Sequence, residues 1–433
     1  MSIKWSIIMN NNKLINFKSY PYIIKNKNYS TIDFIFIFPC KYKKEDMFYL
    51  LLLKQILLNS SFLYKSETLY KRKLSDLMII RQSLNNRILN NNLYLEFRLT
   101  VPNPKIVKNY DLDSSFSFFI NTIYKPNIVG NKFNKKVFER EKTFLKEDIL
   151  MSLKNVYSES YQKFLNLIDD KGILKDNIYN NMNLIESANE YNLCEVYNKL
   201  ILNNQPIIII YGNVNNNICS LIQKYINDIG NKRIKLNIDY YNFLIPRKKC
   251  KKVIETSIYN QSILYVGYKV KNICEDDLIY LNLIKNILGI GAESLIFKTL
   301  RVDSGLVYSC STWCDTIAGI LVIETYINNN SNDIVIDKIK NLIDSLKNKK
   351  VLSQEINRVV KSIKNSMIRK KDDKNNKLND FIKNKFKFGF TTEMLIEEYS
   401  NLNLDLFIDF VNRLVLDTIY FYRGEFGEKN KNI

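Results

Sequence analysis

Short apolar runs and longer segments of helical spacing alternate along the chain. Thr31–Phe38 (TIDFIFIF) is β-branched and aromatic, which predicts a strand, and Pro39 is expected to end it. Asp46–Leu58 is apolar on nearly all sides and predicts a buried helix. Thr68–Arg87 carries apolar residues at helical spacing, and Asn92–Val101 predicts a second strand.

The same order of elements then begins again, since the strand predicted at Ser262–Lys269 starts 231 positions after Thr31. The helix predicted at Glu275–Leu288 follows it, as Asp46–Leu58 follows the first strand. The other predicted elements are a helix at Val137–Ser158, a strand at Gln205–Val214, a short helix at Ala292–Arg301, strands at Leu306–Thr312 and Gly319–Ile327, helices over 333–412 and a strand at Thr418–Arg423.

This repetition predicts an α+β fold of two homologous halves, each a mixed or antiparallel sheet packed with helices. We expect an N-terminal domain at residues 1–220, a linker at 221–255 and a C-terminal domain at 256–433. Polar residues and the basic run Arg247–Lys252 (RKKCKK) fall in that linker.

The chain is strongly basic, with 64 Lys and Arg residues against 44 Asp and Glu and a formal charge of +20. The lysines are scattered, and we find no zinc finger, no RNP-type aromatic motif and no basic region followed by heptads. We therefore interpret the charge as a solvated surface and expect no nucleic-acid partner, although an RNA-associated protein remains an alternative. The heavy use of Lys, Asn, Ile, Tyr and Phe is typical of an A/T-rich genome.

The seven cysteines are widely spaced and form no CxxC pair, which predicts free thiols in a reducing compartment. The N-terminus lacks the apolar core of a secretory signal, and no window approaches 18 consecutive apolar residues. We expect a cytoplasmic protein without a membrane span.

Glycines cluster in one segment, Leu281–Asp315, at Gly289, Gly291 and Gly305. The first two can end one helix and turn into the next, and Gly305 precedes a strand. This layout resembles the C-terminal half of insulinase- and pitrilysin-like peptidases, whose typical sequence there is S-x-L-F-x-x-L-R followed by G-L-x-Y-S. The matching residues are Ser294, Leu295, Phe297, Leu300, Arg301, Gly305, Leu306, Tyr308 and Ser309.

Two segments of the first half also resemble this family. Phe138–Lys142 (FEREK) is similar to its second acidic motif, and Tyr64–Leu77 is similar to a histidine-less subgroup found beside an active partner in low-G/C bacteria. The resemblance implies that the two halves together form one half of a clam-shaped chamber.

Active members of the family carry His-x-x-Glu-His on the first buried helix, where two imidazoles and a downstream glutamate hold zinc. This chain contains no histidine. The motif aligns with Leu51–Gln55, where the positive charge of Lys54 would repel a metal cation. The downstream position falls near Asp148, and we interpret Glu139, Glu141 and Asp148 as charge on the exposed face of a helix. We therefore expect no catalytic residue and no bound metal, with zinc held by a partner.

Arg301 and Tyr308 are the candidate substrate-binding residues. The resemblance implies that an Arg and a Tyr at this spacing hold the substrate backbone near the partner's metal, donating to a carbonyl and to the oxyanion that develops on it. The alternative is a capping Arg at a helix end beside an ordinary strand Tyr.

The resemblance thus implies a non-catalytic subunit of a heterodimeric zinc metallopeptidase that acts on unfolded peptides beside a zinc-bearing homologue. The alternative is a structural or assembly module of the same fold with no role in proteolysis, like core proteins of respiratory complexes or a mitochondrial processing subunit.

Overall fold

A computed structural model describes residues 21–41, 46–89, 92–169, 182–227, 243–370, 373–386 and 389–424. They form two compact units. The first lies within residues 1–150 and 177–240, and the second within 151–176 and 241–433. The predicted division into 1–220, 221–255 and 256–433 stays a prediction, and the compact units differ from it in grouping residues 151–176 with the second unit.

The strands of the described residues are β1 Tyr22–Lys25, β2 Thr31–Lys41, β3 Arg81–Leu89, β4 Asn92–Pro102, β5 Ile128–Val129, β6 Lys132–Phe133, β7 Ile207–Gly212, β8 Lys251–Ser257, β9 Ser262–Val270, β10 Val307–Asp315, β11 Ile320–Ile327 and β12 Leu414–Gly424. The α-helices are α1 Asp46–Leu57, α2 Glu67–Asp76, α3 Leu112–Tyr124, α4 Lys135–Leu153, α5 Val156–Ile168, α6 Met182–Ser187, α7 Glu190–Tyr197, α8 Asn216–Asn227, α9 Leu278–Gly289, α10 Asn332–Ser345, α11 Lys349–Arg369, α12 Lys374–Phe386, α13 Thr392–Ser400 and α14 Leu404–Arg413. π-Helical turns occupy Asn198–Leu202 and Phe297–Val302, and a 3₁₀ turn occupies Glu275–Asp277.

Each unit contains a five-stranded sheet, and the two sheets have the same topology. The first has the order β1-β7-β2-β4-β3 and the second the order β8-β12-β9-β11-β10. In both, the pair at one edge is parallel, β1 with β7 and β8 with β12, and the other pairs are antiparallel. The predicted fold of two homologous halves is confirmed.

The first sheet packs against α3, a helix that the sequence analysis did not predict. Phe116 and Phe119 of α3 contact the rings of Phe34 and Phe36 on β2, with centroids 4.9 Å apart for Phe34–Phe116 and 5.4 Å for Phe36–Phe119. All four side chains are fully buried. Aromatic pairs of this kind contribute beyond the area they bury, which explains why α3 docks here.

The second sheet is covered on both faces. One face buries residues of α9–α11, α13 and α14. The other face is crossed by α5, where Phe164 stacks on Tyr265 of β9 at 4.9 Å. Ile168 lies so close to Gly267 that a Cβ there would sit 2.5 Å from its Cδ1, so the glycine permits the close approach. This packing explains why α5 belongs to the second unit although it precedes β7 in the chain.

Three predicted boundaries were wrong. Pro39 does not end β2, because β7 pairs with β2 only from Asp33 to Ile37, and proline is tolerated where one side of a strand lacks a neighbour. The predicted helix Thr68–Arg87 ends at Asp76, and its last residues form β3. The predicted helix Val137–Ser158 is two helices, since the Asn155 side chain caps α5 by accepting from the Tyr157 N–H at 2.9 Å.

The segment predicted as a linker also holds regular structure. The end of α8 lies within residues 221–227, and β8 begins at Lys251, inside the basic run. Residues 228–242 lie outside the described residues. The basic run is therefore in part an edge strand, whose first lysines are exposed.

Candidate functional site

The helix that would carry the zinc motif, α1, is built as a core helix. Leu52 and Leu53 are fully buried. Gln55 is half-buried, and its Oε1 has no hydrogen-bond partner among the described residues. Leucines and an amide offer no ligand that zinc prefers, and the Lys54 ammonium repels a cation. The donor set of α1 does not fit zinc.

The acidic positions of α4 do not share one environment, which corrects the prediction of a common exposed face. Glu139 and Asp148 are exposed, but Glu141 is only 2 % exposed. Arg140 Nε donates to Glu141 Oε1 at 3.0 Å, and Asn59 Nδ2 donates to its Oε2 at 3.5 Å. Glu141 is therefore a buried carboxylate neutralised by its neighbour in sequence, Arg140.

Nowhere in the described part of the chain do three His, Cys, Asp or Glu side chains converge to hold a metal ion. The sequence itself supplies no imidazole. All seven cysteines, each within the described ranges, are free thiols.

The predicted substrate-binding block lies at the start of β10 in the second unit. The helical turn before it widens into a π-helix, in which the Asp303 N–H donates to Lys298 O at 2.8 Å. Gly305 then adopts φ +60°, a left-handed conformation that favours glycine, and the Leu306 N–H donates to Leu300 O at 2.9 Å. These bonds fix the path from the helix into the strand.

Arg301 ends this helical segment and is exposed. Its Nη1 donates to the carbonyl oxygen of Val307 at 2.9 Å. Arg301 also lowers the pKa of the Cys310 thiol, but burial has the larger effect and raises that pKa to about 11. The guanidinium therefore lies along the first residues of β10.

Tyr308 is the extra residue of a β-bulge. Val307 pairs with Ile327, and Ser309 pairs with the adjacent residue Tyr326. Tyr308 therefore has no pairing residue on β11. Bulges re-aim the side chain that they carry. Tyr308 is 57 % exposed, and its hydroxyl donates to Asn328 Oδ1 at 2.7 Å.

The structure thus brings both predicted residues to the same end of β10, because the carbonyl that Arg301 binds belongs to the residue before Tyr308. Each side chain also has a partner within the chain, Val307 O for Arg301 and Asn328 for Tyr308.

Sequence reasoning missed the arginine that holds the glycine turn in place. Arg358 of α11 donates from Nη2 to Ile287 O at 2.7 Å and from Nη1 to Ile290 O at 3.1 Å. These carbonyls belong to the end of α9, whose last carbonyls lack partners within the helix. No local spacing signals this contact, since it joins segments about 70 residues apart in a helix of ordinary amphipathic pattern.

It also missed Glu324, a carboxylate that is 3 % exposed in the middle of β11. A signal was available, because one acidic residue interrupts the otherwise apolar run Gly319–Ile327 (GILVIETYI). Such a residue either finds a partner inside the fold or marks a site.

Comparison with known proteins agrees with this architecture. Residues 187–363 match the family model described as the peptidase M16 inactive domain. The chain is 22 % identical over 298 residues to the uncharacterized zinc protease YmxG of Bacillus subtilis (strain 168), covering 65 % of this chain and 70 % of that protein.

Solved structures share the fold along nearly the whole chain. A conserved protein from Enterococcus faecalis V583 superposes with a TM-score of 0.81 at 19 % identity, covering 95 % of this chain and 99 % of that one. A peptidase M16 inactive domain from Pseudomonas fluorescens superposes with a TM-score of 0.70 at 12 % identity, covering 96 % and 98 %.

The chain is thus similar to the insulinase-like, or M16, peptidases while lacking the His-x-x-Glu-His motif, and the predicted resemblance is confirmed. Within the described residues, no helix is long and apolar enough to cross a membrane.

Proposed function

We propose that this chain is the non-catalytic subunit of a heterodimeric zinc metallopeptidase. In this proposal it forms part of the wall around the zinc of a histidine-bearing homologue and supplies Arg301 and Tyr308 to the bound peptide. The observation that carries it is the combination of an M16 inactive domain with an α1 whose motif positions are leucine, lysine and glutamine. A chain that keeps this fold without the metal ligands is best explained by a partner that has them.

The exposure of the Arg301–Tyr308 end of β10 supports the second part of the proposal. A guanidinium and a phenol at one strand end can both donate to a peptide carbonyl and to the oxyanion that develops on it. The bulge at Tyr308 leaves its side chain 57 % exposed. We place the complex in the cytoplasm, since seven free cysteines suit a reducing compartment.

A second candidate function is a structural or assembly module of the same fold. It is favoured by the bonds of Arg301 to Val307 O and of Tyr308 to Asn328, since both side chains already stabilise the strand end. In that case neither residue would touch a substrate.

Co-expression with a histidine-bearing M16 homologue from the same genome tests the proposal. We expect the two chains to elute together in size-exclusion chromatography at micromolar concentration and to cleave unfolded peptides only as a pair. Separate elution, or equal cleavage by the homologue alone, would favour the structural module.

A further inference from the structure

One buried carboxylate of the second unit, that of Glu324, has no basic partner among the residues that the structure describes. Glu324 lies on β11, directly opposite Ser311 on β10 and Tyr265 on β9. Residues directly opposite each other in an antiparallel pair share a face of the sheet, so these three side chains form one row. That face is the one crossed by α5.

Aromatic side chains lie on this face near the carboxylate, and those of Tyr157, Tyr161 and Tyr265 interact with it electrostatically. Tyr157 and Tyr161 of α5 stack with their centroids 5.8 Å apart, and the Trp313 ring lies 5.6 Å from that of Tyr161. Tyr326 lies two residues after Glu324 on the same face, and it partly offsets the effect of burial on the pKa of the carboxyl. Aromatic faces carry partial negative charge, so the lining attracts cations.

The lysine of α5 on this face is already engaged elsewhere. Lys163 Nζ lies 2.9 Å from Glu159 and 3.0 Å from Glu255. In the part of the chain that the structure describes, no Lys or Arg pairs with Glu324, and burial raises the pKa of its carboxyl to about 7. An unpaired buried carboxylate is costly, and a cation brought to it offsets that cost.

The edge of the sheet provides the approach. β10 is an edge strand, and the two residues that it places beside Glu324 and Tyr326 are the exposed serines Ser311 and Ser309. On α5, which crosses this face of the sheet, the Tyr157 side chain is 40 % exposed. A long flexible side chain can therefore reach the carboxylate over the serines, while the tyrosines close the other side.

We propose that Glu324 and the tyrosines around it bind the cationic side chain of an arginine or lysine in a peptide ligand. The carboxylate is the counter-ion, and the rings of Tyr157 and Tyr161 contact the cation from α5. This inference rests on the proposed function in that it takes an extended peptide as the ligand. It adds a preference for basic residues at a site separate from Arg301 and Tyr308.

The site has a defined pH response. The titratable groups that face the carboxylate are four tyrosines: Tyr157 and Tyr161 of α5, Tyr265 of β9 and Tyr326 of β11. The charge of Asp315, at the far end of β10, raises the pKa of Tyr161 as well. Burial raises the pKa of each of these tyrosines, so none of them ionises between pH 6 and 8. Glu324 goes from mostly protonated to mostly ionised over that range, and affinity for a guanidinium should rise about tenfold with it.

Peptide binding tests the proposal. The probes are ten-residue peptides of Ser, Gly and Ala, with blocked termini and a fluorophore on a side chain, that carry one central arginine or its uncharged isostere citrulline. At pH 8 we expect the chain to bind the arginine peptide about 10- to 100-fold more tightly, and Glu324→Gln to abolish that preference. Glu255→Gln is the matched control, since it removes one charge from the same face and should leave the preference intact.

An arginine preference that survives in Glu324→Gln would overturn the proposal. Ser311→Arg is the second variant, because it puts a tethered guanidinium opposite Glu324 from an exposed position and should block the site without altering the core. The same peptides are measured with the chain alone and with its zinc-bearing partner. Pairing and cleavage without any effect of Glu324→Gln would refute this site alone, and a Glu324-dependent preference without pairing would refute the proposed function alone.

Discussion

Lys269 Nζ lies 3.3 Å from Asp417 Oδ2, and both side chains are fully excluded from solvent. Asp417 is the extra residue of a bulge in β12, where the register shifts between Leu416 and Thr418. Arg247 also binds this carboxylate, through its backbone N–H at 2.8 Å and through its guanidinium, and its Nη2 donates to Leu167 O of α5 at 2.7 Å. The network joins the first residue of the basic run to the sheet and to α5, so Arg247 has a structural role.

Replacing Asp417 by Asn should destabilise the second unit strongly. The change removes the buried carboxylate that both Lys269 and Arg247 contact, and breaking a buried ion pair typically costs about 3–5 kcal/mol. Asp409→Asn is the matched control, since Asp409 pairs with Arg413 at 3.1 Å but is largely exposed, and such pairs contribute about 0.2–1 kcal/mol. Urea denaturation followed by circular dichroism measures both, and equal losses would contradict a buried network.

Replacing Glu324 by Gln should stabilise the chain at high pH. Burial raises the pKa of Glu324 from 4.5 to about 7, so the folded state holds this proton more tightly than the unfolded state does. The contribution of Glu324 to the free energy of unfolding is therefore largest below pH 4.5 and falls as the pH rises to 7. Above pH 7 it is constant, and the total loss is about 3 kcal/mol. Glutamine stays neutral and avoids the loss.

Melting temperatures of the wild type and of Glu324→Gln, measured from pH 4.5 to 8, check this prediction. The two proteins should melt at the same temperature at pH 4.5, and Glu324→Gln should melt at a higher temperature than the wild type at pH 8. Glu255→Gln loses an ion pair with Lys163 and should melt lower than the wild type at pH 8. A difference independent of pH would mean that Glu324 is ionised throughout.

The repeat of elements was predictable because each strand and helix carries its own period of apolar residues. Ser262 starts a strand 231 positions after Thr31, and the two sheets share one strand order. The helix α3 was missed, although Phe116 and Phe119 are fully buried, because its apolar and polar residues alternate as they do in a strand for part of its length.

The position of α5 and the burial of single charges were beyond the sequence. Nothing local to Phe164 indicates that it stacks on Tyr265, which lies about 100 residues further along the chain. Glu141 was expected on an exposed face, but its helix turns that position toward Asn59. The sequence pattern shows only which side of an amphipathic helix is apolar, whereas tertiary packing decides which of its charged residues are buried.

The purified chain should bind no stoichiometric zinc and cleave no peptide by itself. It has no histidine, and Leu51, Lys54 and Gln55 occupy the His, Glu and His positions of the motif on α1. Carboxylates and waters alone suit harder cations than zinc. Elemental analysis after dialysis against zinc checks the first point, and about one zinc per chain with chelator-sensitive cleavage would show that the chain is a metallopeptidase.

Arg301 and Tyr308 should matter to the partner's catalysis more than to stability. If both donate to the developing oxyanion, Arg301→Ala or Tyr308→Phe should lower kcat of the assembled pair by about 10² to 10³. The double variant should lose less than the product of the two, because both donors serve one carbonyl. If the residues are structural instead, the loss of one hydrogen bond should cost only about 0.5–1.5 kcal/mol and leave turnover unchanged.

Asn328→Ala separates these outcomes, because it removes the partner of the Tyr308 hydroxyl at 2.7 Å and leaves the phenol in place. A structural role predicts that Asn328→Ala and Tyr308→Phe lower the melting temperature alike and that neither changes kcat. A role in substrate binding predicts that Tyr308→Phe lowers kcat while Asn328→Ala leaves most of the activity. Arg301→Lys keeps the charge but not the forked donor, so it should recover part of the activity lost in Arg301→Ala only if charge near the oxyanion contributes. Turnover and melting temperature measured on the same heterodimers decide between the two roles.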